Sequence, residues 1–302
     1  MSHALASIFA PGFFSNAEVE VAATVGAAVA IVAGAVGVFT VMRGQSFAGE
    51  ALGDIATTGG SGAHLVAVGP LWGFATAAVA AAAVMEMIGI QRPRGRDVAT
   101  GVVLGAGLGL AALFLYLDTN TTGATFVILF GSPFAITSST IPLVVVFGAL
   151  SLGLVLAIFR PLLLCSISPE AAAARGIPVR VVGGLYLLAL AIAVALAAVT
   201  IGTILSTALL VGPAATALRL TRSPGRAILA AGAIGIAATW LGILMAYDSY
   251  YWPPVHQGWP VSFFVVTLIF LGYLLSGLAR GRENRAAARI AAREPALERS
   301  IG

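Results

Sequence analysis

Glu50 and Asp54 offer the most distinctive chemistry in this sequence. They stand four residues apart, so a helix places both carboxylates on one face. Two like charges that close in low dielectric repel each other, and buried acids need protons, a cationic partner or a metal. A divalent cation between them would relieve the repulsion. If the segment instead lies at a hydrated interface, the two acids are ordinary polar contacts. His64 follows Asp54 by ten residues, about 15 Å further along a helix. It reaches the same ion only if the run Gly59-Gly60-Ser61-Gly62 bends the chain back. Asp248 and His256 lie in an aromatic stretch from Tyr247 to Trp259 and form a candidate cation entry site. The plainer reading of that stretch is an interfacial anchor. Glu86 faces water or pairs with Arg92 or Arg94.

Two further patterns carry mechanical meaning. Gly202, Gly212 and Pro213 interrupt an apolar run that also holds Thr200, Thr203, Ser206 and Thr207. A break within a membrane frees backbone carbonyls that could line a path, while small and hydroxyl residues also serve close helix packing. The second pattern is the segment from Ser168 to Arg180. Ser168 suits an N-cap, Pro169 the first helical position and Glu170 the positive end of the helix dipole. Gly176 is a helix terminator. A short capped helix between Arg160 and Arg180 is a docking knob.

The elements that hold these residues are set by composition. Of 302 residues, 59% are hydrophobic and only 9% charged, and the mean hydropathy is +1.01. A soluble domain carries about 25% charged residues. The bilayer is the solvent that fits. All 16 cationic residues counted as Lys+Arg are arginine. Without lysine there is no nucleotide-cradling loop of the G-x-x-x-x-G-K-[ST] type and no Schiff-base chemistry. Any ATP-driven step therefore needs another chain. The single cysteine, Cys165, excludes an internal disulfide and a multi-cysteine metal cluster. The arginines sit in short loops between apolar runs, which reads as topology-setting charge, not nucleic-acid binding. Met1 to Phe14 lacks a cationic leader, and Leu5 to Phe14 reads as an interfacial segment.

Apolar runs near 20 residues, the length that crosses about 30 Å of hydrocarbon, begin at Val21, Ser46, Pro70, Val98, Ile141, Val181, Ile204, Ala227 and Pro260. Placing all arginine clusters inside gives nine crossings, N-out and C-in. Eight remain if residues 46–68 only dip into the membrane. Residues 119–140 read as a short or re-entrant outer piece. The expected class is an all-α polytopic membrane bundle, with a transmembrane domain over 1–279 and a basic cytoplasmic tail over 280–302.

In this order the pieces resemble the permease subunit of metal-ion ABC importers for zinc, manganese or iron, over residues 18–280. Arg43, Ser46, Gly49, Glu50, Ala51, Leu52, Gly53 and Asp54 follow the family's early motif. Ser168, Pro169, Glu170, Ala172, Gly176 and Ile177 follow its cytosolic motif. Residues 201–217, IGTILSTALLVGPAATA, follow its V-G-x-L-L-V-x-A-L-L-x-x-P-A-A-T-A run. The resemblance implies a homodimer in a prokaryotic cytoplasmic membrane, served by cytosolic ATPases and by an extracytoplasmic solute-binding protein. Pro169, Glu170, Arg175, Gly176 and Ile177 would form the coupling helix. Glu50 and Asp54 stand where the family keeps Asp and His. Replacing an imidazole by a second carboxylate favours manganese or iron(II) over zinc. The sequence alone also allows a gradient-driven carrier or a channel using the same acids. A membrane enzyme is the weaker third class, for want of a nucleophile–base pair. No cofactor beyond the metal cargo is expected on this chain.

Overall fold

The computed structural model describes residues 16–88, 96–117, 131, 140–203, 206–250 and 258–278. Within these the chain is helical. The helices are α1 Ala17–Met42, α2 Ser46–Leu65, α3 Pro70–Ile88, α4 Arg96–Leu117, α5 Ile141–Ala157, α6 Phe159–Ile167, α7 Pro169–Ala174, α8 Val179–Ile201, α9 Ser206–Leu220 and α10 Pro224–Ser249. A last helix, α11, runs Val261–Leu278.

Six of them, α1, α3, α4, α8, α10 and α11, are long and apolar enough to cross a membrane. The pair α5 and α6, bent by 65° at Ile158, makes a seventh if taken as one span. The chain is thus a polytopic helix bundle, with six to seven apolar spans among the described residues. The other two segments expected to cross, α2 and α9, are also helical. However, α2 is rich in Gly, Ser and Thr and carries the two acids, and α9 has only 15 residues. Exposed Phe263, Phe270, Leu271, Leu274, Leu275 and Leu278 on α11 suit a lipid-facing helix.

Helices α1 and α8 form the centre. Both are apolar on all sides; α8 is buried over nearly all of its length beyond the first turn, and α1 is buried without interruption from Val32 to Thr40. Small residues let neighbours approach closely. A Cβ on Gly37 of α1 would overlap the Leu210 carbonyl oxygen of α9, and one on Gly34 would lie 2.7 Å from the Gly232 nitrogen of α10. Hydroxyls pin helices to neighbouring backbones: Ser151 donates to the Ala189 carbonyl at 2.8 Å and Thr58 to the Gly107 carbonyl at 2.7 Å. On α9, the Arg219 guanidinium stacks 3.7 Å from the Tyr273 ring centre and donates to its hydroxyl, tying α9 to α11.

Two features of the sequence meet a different geometry. Gly212 and Pro213 do not divide their helix, because α9 runs through both. Gly212 instead meets Ile269 of α11 without a side chain between them, and its carbonyl accepts from the Thr216 hydroxyl at 2.9 Å. Of the three residues expected to interrupt the run, Gly202 is the one that stands at a break. Gly202 ends α8 with φ 86° and ψ 161°, a conformation open essentially to glycine alone. Lastly, the glycines at 59–62 do not bend α2. Gly59 and Gly60 pack against Gly73 and Phe74 of α3, and the helix stays continuous to Leu65. Leu5–Phe14, most of 119–140, Arg92, Arg94, His256 and the tail 280–302 lie outside the described residues.

Candidate functional site

Asn16 opens α1 by accepting the Glu18 amide on its side chain, and α1 ends at a tight corner. The amides of Arg43, Gly44 and Gln45 bond the carbonyls of Phe39, Val41 and Thr40, with Gly44 at φ 62°. This corner turns the chain into α2 before α1 reaches the level where α8 begins. Thr40 already touches Tyr186, two turns into α8. One turn further, Gly49 of α2 packs on Leu190 and Leu210, and Gly53 packs on Val194 and Ser206. Leu190 and Val194 are the middle of the 23-residue α8. Glu50 and Asp54 are therefore held at mid-height of the bundle, not at its edge.

The two acids share one side of α2 and are close enough for each charge to act on the other. Glu50 and Phe47 are exposed, and Asp54 is half-buried. The same side continues into Thr57 and Ser61, both buried, while Thr58 beside them turns to the Gly107 carbonyl of α4. The opposite sides are closed by α3, by α4, and by α8 with α9.

The break between α8 and α9 packs against Gly53, the residue before Asp54. A Cβ on Gly53 would stand 2.6 Å from the Ser206 hydroxyl and 3.4 Å from the Thr203 carbonyl oxygen. Thr203 and Ser206 are buried, and the Ser206 hydroxyl donates to Thr203 O at 2.9 Å. The backbone of Gly131, at φ 72°, presses on Ile201 and Gly202. The structure thus brings the carboxylate pair next to Gly202, two features that sequence kept apart.

Other candidates stand elsewhere. His64 is exposed in the last turn of α2, and the continuous helix keeps it about 15 Å from Asp54 along the axis. Asp248 is half-buried in the last turn of α10. Helix α10 runs antiparallel to α1, with Gly26 against Thr239 and Gly34 against Gly232, so Asp248 lies level with the start of α1. Glu86 is half-buried beside Gly184 of α8. Among the described residues there is no group of three or more His, Cys, Asp or Glu that could hold a metal ion. This chain contributes a pair of acids, with hydroxyls and a carbonyl behind them.

The segment after α6 adopts the expected cap geometry. The Ser168 hydroxyl accepts the Ala171 amide at 3.2 Å, and Pro169 takes the first position of α7. Gly176, at φ 76°, donates to the Ala173 carbonyl, and Ile177 donates to that of Ala172. This paired closure is a Schellman motif. Glu170, Arg175 and Gly176 are exposed. Next to α7, Arg160, Leu164, Ile167, Arg175 and Ile177 line an open cavity of about 550 Å³.

A buried polar cluster at the α1–α2 corner gave no sequence-level signal beyond polar residues in apolar runs. The Thr40 hydroxyl lies 2.6 Å from that of Tyr186, and Arg43 sits 5.2 Å over the tyrosine ring.

Comparison with known proteins agrees with this architecture. A family model described as "ABC 3 transport family" matches residues 17–276. The manganese transport system membrane protein MntC of Listeria innocua is 28% identical over 240 residues, 80% of this chain and 85% of that protein. The manganese import system permease protein ScaB of Streptococcus gordonii is 30% identical over 220 residues, 73% of this chain and 79% of the relative. Among solved structures, PsaBC from Streptococcus pneumoniae in complex with Fab superposes with a TM-score of 0.76 at 26% identity, covering 88% of this chain and 92% of the matched one.

Proposed function

The chain belongs to the ABC 3 transport family, and from that membership we propose that it is the membrane permease subunit of an ATP-driven manganese importer. The observation that carries the reading is the height of Glu50 and Asp54. Acids at the middle of a membrane bundle, on a side this chain leaves open, do not face lipid. They line a water-filled path or are covered by another chain. A second copy of this permease would bring a second pair, and four carboxylates around one axis suit a hard divalent ion with oxygen ligands. The similar MntC and ScaB carry manganese in their names, and iron(II) is the next candidate cargo on the same donor chemistry.

Energy comes from outside the chain, since it has no lysine for a nucleotide loop. Cytosolic ATPase subunits dock on α7, through Pro169, Glu170, Arg175, Gly176 and Ile177. A solute-binding protein delivers the ion on the other face. In the finer topology, α2 and α9 complete nine crossings, with the N-terminus outside and the arginine-rich ends and tail inside. Alternating access follows: the outward state holds the ion between the acids, and the inward state binds it less well and releases it. The Gly202 break beside Asp54 is where helices α8 and α9 can shift against α2.

The test is accumulation of metal by vesicles holding this permease with its ATPase and binding protein. Manganese uptake should require ATP, should exceed iron(II) uptake, and should exceed zinc uptake further. Uptake driven by an ion gradient without ATP would replace this reading with a secondary carrier.

A further inference from the structure

We infer that Arg43 and Tyr186 form a rigid joint that transmits movement of α7 to the carboxylates on α2. The inference rests on the functional reading above and concerns how ATPase docking reaches the metal path. Helix α7 packs on α6, and its Ala172 is fully buried. Phe159, at the start of α6, meets Phe39 of α1 edge-on with ring centres 5.7 Å apart. Residue 40 follows directly. The Thr40 hydroxyl is held by the Val36 carbonyl at 3.0 Å and by Tyr186 at 2.6 Å, with both side chains fully buried.

From Tyr186 the chain of contacts turns toward α2. The Arg43 guanidinium lies over the tyrosine ring, and its Nε donates to Gln45 Oε1 at 3.1 Å. Cys165 of α6 is also within range of the Arg43 charge. Gln45 is 1% exposed. Its amide donates to the Thr40 carbonyl, and its own carbonyl accepts from Gly49, one residue before Glu50. The links between Phe159 and the first turn of α2 are ring contacts, one step along the chain and hydrogen bonds, each buried or part-buried.

Such a joint is costly in an apolar setting, where hydrocarbon side chains would pack at no desolvation penalty. What the polar version supplies is direction, since each bond fixes an orientation and the bonds polarise one another. The planar guanidinium can stack on the ring and present Nε sideways at once, which a lysine ammonium cannot do. Arg43 and Tyr186 are positioning residues in this account, and neither is required to touch the ion.

The measurement is metal transported per ATP hydrolysed, in vesicles holding the complete complex. Two variants are compared with the parent: Arg43→Lys, which keeps the charge, and Tyr186→Phe, which removes one hydroxyl and keeps the ring. In both, ATP hydrolysis and manganese binding without nucleotide should stay near parent values. The transport ratio should fall about threefold to tenfold, the scale of mutations along a coupled network. If Arg43→Lys fails to assemble, Tyr186→Phe decides alone. A parent-like ratio in an assembled variant overturns the joint, as does a loss of manganese binding that matches the loss of transport. A parent complex that moves no manganese with ATP overturns the functional reading instead, and the joint with it.

Discussion

Two pairs of helices in this bundle solve opposite problems. Helices α1 and α8 are long, apolar on every side and mostly buried. Helix α2 is rich in Gly, Ser and Thr and carries two acids, and α9, with Gly212 and Pro213 inside it, is too short to cross alone. The first pair needs only packing to be stable. The second could not stand in lipid by itself and is held by the first through glycine contacts. The difference teaches that the membrane-spanning signal and the functional signal sit on different helices. Strong hydropathy marks the frame, and weak hydropathy inside a strongly apolar sequence marks what the frame holds.

The contrast breaks most sharply where frame and insert touch. Gly37→Leu forces a side chain onto the Leu210 carbonyl, and overpacking of this kind costs about 3 kcal/mol or more. The variant should lose most of its monodisperse yield on size exclusion, and parent-like yield and melting temperature would show that α1 and α9 do not meet so closely. Next in size is Gly202→Ala, which places a Cβ at φ 86° at a cost of about 1–3 kcal/mol. It should lower the melting temperature and slow uptake together. Gly176→Ala, at φ 76° beside α7, should cost about 1–2 kcal/mol locally. Its effect should fall on capture of the ATPase more than on melting of the bundle, measured by pull-down. Smallest is Gly153→Ala on α5, where an added Cβ meets nothing within 4 Å. It should be neutral or stabilise by up to about 1 kcal/mol, read as an unchanged or slightly raised melting temperature.

Much of this was legible in the sequence. Each of the nine expected segments contains a helix, and the caps of α7 follow from Ser168, Pro169 and Gly176 because capping is local chemistry. The carboxylate face of α2 followed from spacing alone. Its height did not. That depends on the corner closed by Gly44 and Gln45, which lets α2 start well inside the bundle, and hydropathy carries no trace of it. Of the three residues read as interrupting the run, only Gly202 sits at a break. Pro213 is a strong local signal, yet α9 continues through it, while the true break needs a glycine whose backbone angles cannot be read from its identity. The run at 59–62 offered flexibility in sequence, but the fold uses Gly59 and Gly60 for close contact with α3, so His64 stays apart from Glu50 and Asp54.

The central claim is that these two acids, held at mid-height on the open side of α2, carry the divalent ion. The most direct measurement is ATP-dependent manganese accumulation by the complete complex with Glu50→Gln and Asp54→Asn combined, after confirming that permease and ATPase still assemble. The account predicts accumulation no greater than in vesicles lacking permease. Manganese entering at the parent rate through an assembled double variant would contradict it.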